Sequence, residues 1–126
     1  MSEVLATLSV APLYGQVIVE SEGATDLPMP ETGKERVVAT TQSIMIATRG
    51  DADGNVDIEI HGNRNLLENG LEIFEGELSF ASPNLVFGSP LAGVVDKINI
   101  GRTGWVLLKI YVDVLESPTR VVVVIN

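Results

Sequence analysis

"GWVLLKIYVDVL", residues 104 to 115, decides the fold. Val106, Leu108, Ile110, Val112 and Val114 share one parity, and Trp105, Leu107, Lys109, Tyr111 and Asp113 the other. Side chains alternate across a strand, so the first set can line a core while the second meets a half-wet surface. One dry face and one mixed face is what a strand of a two-sheet sandwich presents.

The same alternation recurs in both directions. Upstream lie "EVLATLSV" (3–10), "YGQVIVES" (14–21), "RVVAT" (36–40), "SIMIATR" (43–49), "VDIEIH" (56–61), "LEIFEGELSF" (71–80), "NLVFG" (84–88) and "VVDKINI" (94–100); downstream lies "RVVVVI" (120–125). Segment 22–35, with two prolines, two glycines and little apolar content, reads as a loop. "GNRNLLENG" (62–70) reads as a long turn, with one helical turn at Arg64 to Glu68. No segment holds a helical apolar period over three turns. Short strands separated by regular turns predict an all-β, two-sheet antiparallel β-sandwich, one domain over residues 1–126. "VVVV" at 121–124 is apolar on both faces, which predicts a central or covered strand, because an exposed edge of that kind aggregates.

The totals narrow the function classes. The chain is 45% hydrophobic and carries 8 basic against 17 acidic residues, net −9. No cationic surplus exists to neutralise phosphates, so direct nucleic-acid binding is disfavoured and a basic protein partner, or plain solubility, is favoured. Without cysteine there are no disulfides, thiolate nucleophiles or cysteine zinc sites. "MSEVLATLSV" lacks a basic leader region, and no apolar run approaches the roughly 18 residues of a membrane helix, so a cytoplasmic protein without membrane insertion is expected.

"TRGDADGN" (48–55) admits three readings. As a calcium loop with Gly54 at the sixth position, Asp51, Asp53 and Asp57 fall on ligand positions, but Arg49 and Ile60 occupy the first and twelfth, where oxygen donors are required. The triplet Arg49-Gly50-Asp51 is short enough to arise by chance. A hairpin tip between "SIMIATR" and "VDIEIH" needs only the turn-forming Gly, Asp and Asn present. The expectation is a hairpin tip without a metal.

No catalytic constellation stands out. His61 is the one histidine, at a strand end, and no nucleophile or carboxylate lies at triad-like spacing. No glycine-rich loop precedes a helix. A non-enzymatic chain without cofactors is expected. The charge map is more informative. Residues 51–77 hold eight carboxylates against Arg64, a local net charge of −7. Asp57 and Glu59 oppose the parity of Val56, Ile58 and Ile60, and so face solvent. Glu75 and Glu77 oppose Phe74, Leu78 and Phe80, and the parity switch between Ile73 and Phe74 predicts a bulge. If these two strands were neighbours, like charges would confront each other across the pair. Asp57, Glu59, Glu72, Glu75 and Glu77 are the candidate partner-binding residues. Trp105, Leu107 and Tyr111, on the non-core parity, are a candidate homo-oligomer interface, unless the 22–35 loop covers them.

"INIGRTGWVLLKIYV" (98–112), preceded at fitting distances by "LYGQVIV" (13–19) and "NLVFGSP" (84–90), resembles the competence protein J family in apolar spacing and turn placement. That resemblance implies a small β-sandwich that inhibits a DNA-entry nuclease; it carries over no functional residues. Three readings stand: an acidic inhibitor of a nuclease or similar basic enzyme, a structural or homo-oligomeric β-protein, and a calcium- or carbohydrate-binding sandwich using loop 49–57.

Overall fold

A computed structural model describes residues 3–62 and 70–126. Two five-stranded sheets face each other. The first has the order β1-β5-β10-β9-β6, formed by Glu3–Val10, Val56–Gly62, Arg120–Ile125, Gly104–Val112 and Leu71–Phe80. The second has the order β3-β4-β2-β7-β8, formed by Val37–Ala39, Ser43–Ala47, Gln16–Ser21, Asn84–Ser89 and Val94–Asn99. The helical segments among the described residues are short 3-10 turns alone. The sandwich expectation holds, with one departure from a purely antiparallel scheme: β10 runs parallel to β5.

The core follows the alternation. Val106, Leu108, Ile110 and Val112 of β9 are buried, facing inward with Ile58 and Ile60 of β5. Val17, Val19, Ile44, Ile46, Leu85 and Phe87 of the second sheet complete the layer. Val114, assigned to the core by parity, is exposed. The strand stops at Val112 because the Asp113 carboxylate accepts hydrogen bonds from the backbone N–H groups of Thr119 and Arg120, folding the chain back into β10. The valine-rich strand is central, between β5 and β9. The register of β6 against β9 shifts between Glu72 and Phe74, where the parity switch predicted a bulge.

The hairpin expected at residues 49–55 does not form. β4 is already paired on both sides, by β3 and β2, so β5 cannot join it and pairs instead in the opposite sheet. The connection is an inter-sheet corner with a 3-10 turn at Asp51–Asp53. Its first end is pinned by Thr48 N donating to Gly15 O (2.8 Å) and Arg49 N to Pro118 O (3.1 Å), and its second by Asp57 N donating to Thr119 O (3.0 Å). The Arg49 guanidinium closes it by donating to Asn55 O. The helical turn expected at Arg64 to Glu68 lies outside the described residues.

Strand pairing makes glycine necessary inside β7. Gly88 of β7 has φ +140°, and a Cβ there would sit 2.4 Å from the Val94 carbonyl oxygen of the next strand.

Candidate partner-binding face

The register places the candidate residues. In the first sheet, inward residues of one strand sit beside inward residues of the next, and outward beside outward. Glu72, Glu75, Glu77 and Ser79 of β6 pair with Tyr111, Lys109, Leu107 and Trp105 of β9. Tyr111 and Lys109 pair with Val122 and Val124 of β10. Those valines, with Arg120, pair with Glu59, His61 and Asp57 of β5. The five candidate carboxylates and the three candidate interface residues therefore share one outer sheet face.

Its cross-section is ordered. Glu72, Glu75 and Glu77 stand exposed along edge strand β6. An apolar stripe follows on β9, with Trp105 61% exposed and Leu107 and Tyr111 half-buried. Exposed Asp57 lies on the other flank. The two acidic strands are not neighbours: β10 and β9 lie between them. In the cross-strand rows Asp57 faces Arg120 and Glu75 faces Lys109, so the like-charge opposition that adjacent strands would impose is avoided.

Glu59 stands apart from the other four. Its Oε2 accepts from Arg120 Nε and its Oε1 from Arg120 Nη2, each at 2.9 Å. His61 Nε2 lies 2.9 Å from Oε1, and since a carboxylate can only accept, that ring nitrogen carries the proton. The Arg120 guanidinium holds the Glu59 carboxyl below its ordinary value; burial opposes this and the His61 hydrogen bond adds to it. Glu59 thus ties β5 to β10 and has little left for an outside ligand. His61 is buried, and its Nδ1 has no hydrogen-bond partner among the described residues. Beside Glu72, the Tyr111 phenol is pushed up, first by burial and then by the carboxylate's charge.

The 22–35 loop does not cover Trp105. It lies on the opposite sheet, where Leu27, Pro28, Met29 and Pro30 stand over the outer face of β2 and β4. Among the described residues no group of three or more His, Cys, Asp or Glu is arranged to hold a metal ion.

Searches by sequence find no matching family model and no matching curated protein. Comparison of the structure does find a match. The fold is that of ComJ. The crystal structure of ComJ, inhibitor of the DNA degrading activity of NucA, from Bacillus subtilis, superposes with a TM-score of 0.77. The alignment covers 99% of this chain and 97% of ComJ, at 14% identity. At that identity the likeness to ComJ establishes a shared architecture, in line with the resemblance in apolar spacing and turn placement.

Proposed function

We propose that the chain is a non-catalytic inhibitor of a basic nuclease, acting by occlusion. The observation that carries this reading is the union, on one outer sheet face, of exposed Trp105 and half-buried Leu107 and Tyr111 with exposed carboxylates on both sides. The ComJ architecture supports it at the level of fold. Enzymes that cleave DNA attract phosphates with cationic surfaces. A face bearing Glu72, Glu75, Glu77 and Asp57 offers anionic oxygens to the same cations, while Trp105 and Leu107 supply the desolvated apolar anchor that gives such an interface its affinity. Charge steers the encounter and the stripe slows release.

The test is a DNA-cleavage assay with NucA, or a nuclease encoded beside this gene, titrated with the protein at low and moderate salt. Dose-dependent loss of cleavage, with a slower association as salt rises, is expected. Undiminished cleavage at micromolar inhibitor rejects the reading for that enzyme.

Self-association is the competing use of the same stripe, favoured by the exposure of Trp105. Both flanks are acidic, so pairing the face with its own copy in any orientation brings carboxylates together. Nuclease binding and self-association are therefore mutually exclusive and respond to salt with opposite sign.

A further inference from the structure

The outer face of the second sheet carries a pocket of about 340 Å³ between the sheet and the strap formed by Leu27 to Pro30. Ile18 and Met45 form its apolar floor, and Pro90 closes one side. The strap is tied to the β3–β4 turn at its first end and braced locally at its second. Gln42 Oε1 accepts from the backbone N–H groups of Thr25 and Asp26, each at 2.9 Å, and Thr40 Oγ1 donates to Asp26 O at 2.6 Å. At the far end Glu35 accepts from the backbone N–H groups of Glu31 and Thr32, and its carboxyl is lowered to about 2 by the hydrogen bond from its own backbone and by those from Thr32 and Glu31, against the opposing effect of burial. The volume and largely apolar lining suit a small-molecule site.

One polar group decides what such a ligand must carry. Glu20 lines the pocket, half-buried, and its Oε1 accepts from Ser43 Oγ at 2.9 Å. Among the described residues no cation lies within ion-pair distance of it. Lys97 sits in the same cross-strand row, two strands away, but its ammonium is held 2.9 Å from Glu22. Glu22 is a strong holder: hydrogen bonds from Asn84, Lys97 and Ser82 lower its carboxyl to about 2. A carboxylate in an apolar pocket, without a cation among the described residues, is matched by a cation from outside.

We propose that this pocket binds a small organic cation, an apolar body of about hexyl length ending in one ammonium, with the body between Met29 and Met45 and the ammonium on Glu20. The site is on the opposite sheet from the acidic face and does not depend on the nuclease reading.

Met29 and Met45 both line the pocket, so methyl-labelled methionine resonances report on it directly. The full chain is titrated with n-hexylammonium, 1-hexanol and hexanoate, with assignments from Met29→Leu and Met45→Leu. Hexylammonium should shift both methyls and saturate at ~1 mM, at least about tenfold tighter than hexanol, and hexanoate should not saturate. Glu20→Gln keeps an oxygen for Ser43 and should fold with an unchanged melting temperature, but bind amine and alcohol equally. Equal binding of amine and alcohol to the unmodified chain, or methyls that no probe moves, overturns the proposal. So does a Glu20→Gln variant that retains the amine preference.

Discussion

The two sheets have five strands each, yet their outer faces meet solvent in different ways. The second sheet's face is roofed: the strap at residues 27–30 stands over Ile18 and Met45, leaving Met45 only 6% exposed. The first sheet's face also has a buried centre, with Val122 1%, Val124 3% and His61 5% exposed, but its periphery bears carboxylates on both sides, a Glu59–Arg120–His61 cluster and a tryptophan in the open. An apolar sheet face must be covered or charged to stay monomeric. Here the second sheet's face is covered by its own strap, while the first combines a buried centre with charged sides and leaves Trp105 exposed. The two proposals follow that contrast, with partner binding on the first sheet and small-ligand binding on the second.

The sharpest way to break the comparison is to discharge one face. Replacing Glu72, Glu75 and Glu77 together with Gln should slow association with the nuclease on the order of 10- to 100-fold at low salt and flatten its salt dependence, read by stopped-flow kinetics. The same variant should self-associate more readily, and in the unmodified chain self-association should strengthen with added salt, read by sedimentation. If the triple variant inhibits at the original rate, the acidic flank is only a solvated surface. Trp105→Ala should weaken the complex about 10- to 30-fold, mostly by faster dissociation, with little change in melting temperature, because the side chain is already exposed.

The roofed face predicts a smaller, different effect. Gln42→Ala removes the acceptor that serves Thr25 and Asp26, and should cost about 1–2 kcal/mol and open the strap to proteolysis near residues 27–30 while leaving nuclease inhibition unchanged. Loss of inhibition in that variant would mean that the two faces are coupled.

The smallest effect concerns acid. Glu59 has a folded-state pKa below its unfolded value, so its contribution is fully present above the unfolded carboxylate range, near ~4.3, and is lost as pH falls through the lower folded value. Melting temperature should therefore decline on acidification below about pH 4, and Glu59→Gln should flatten that part of the profile. A variant profile as steep as the original would assign the acid loss to other carboxylates.

Alternation along residues 104–112 revealed the sandwich, the core parity and the outward face of β9, because the side-chain period of a strand is a local property. The bulge after Glu72 was visible for the same reason. Residues 22–35 form the loop their prolines and glycines predict, but which sheet face "LPMP" at 27–30 covers is not a local property, and it stands over β2 and β4 rather than over Trp105. Local turn chemistry likewise made 49–55 look like a hairpin, since Gly, Asp and Asn suit an inter-sheet corner as well as a tight turn.

Strand order is a different kind of fact. Which strand lies beside which depends on edges left free by earlier pairings, and no local pattern encodes it. Sequence alone therefore determined the fold class, the acidic character and the identity of the outward-facing carboxylates and aromatics. Only the tertiary structure decided that Asp57, Trp105, Leu107, Tyr111 and the β6 carboxylates occupy one face, because β10 and β9 intervene between the acidic strands. It also decided that Glu59 is engaged internally, because parallel pairing of β10 with β5 brings Arg120 within hydrogen-bond reach.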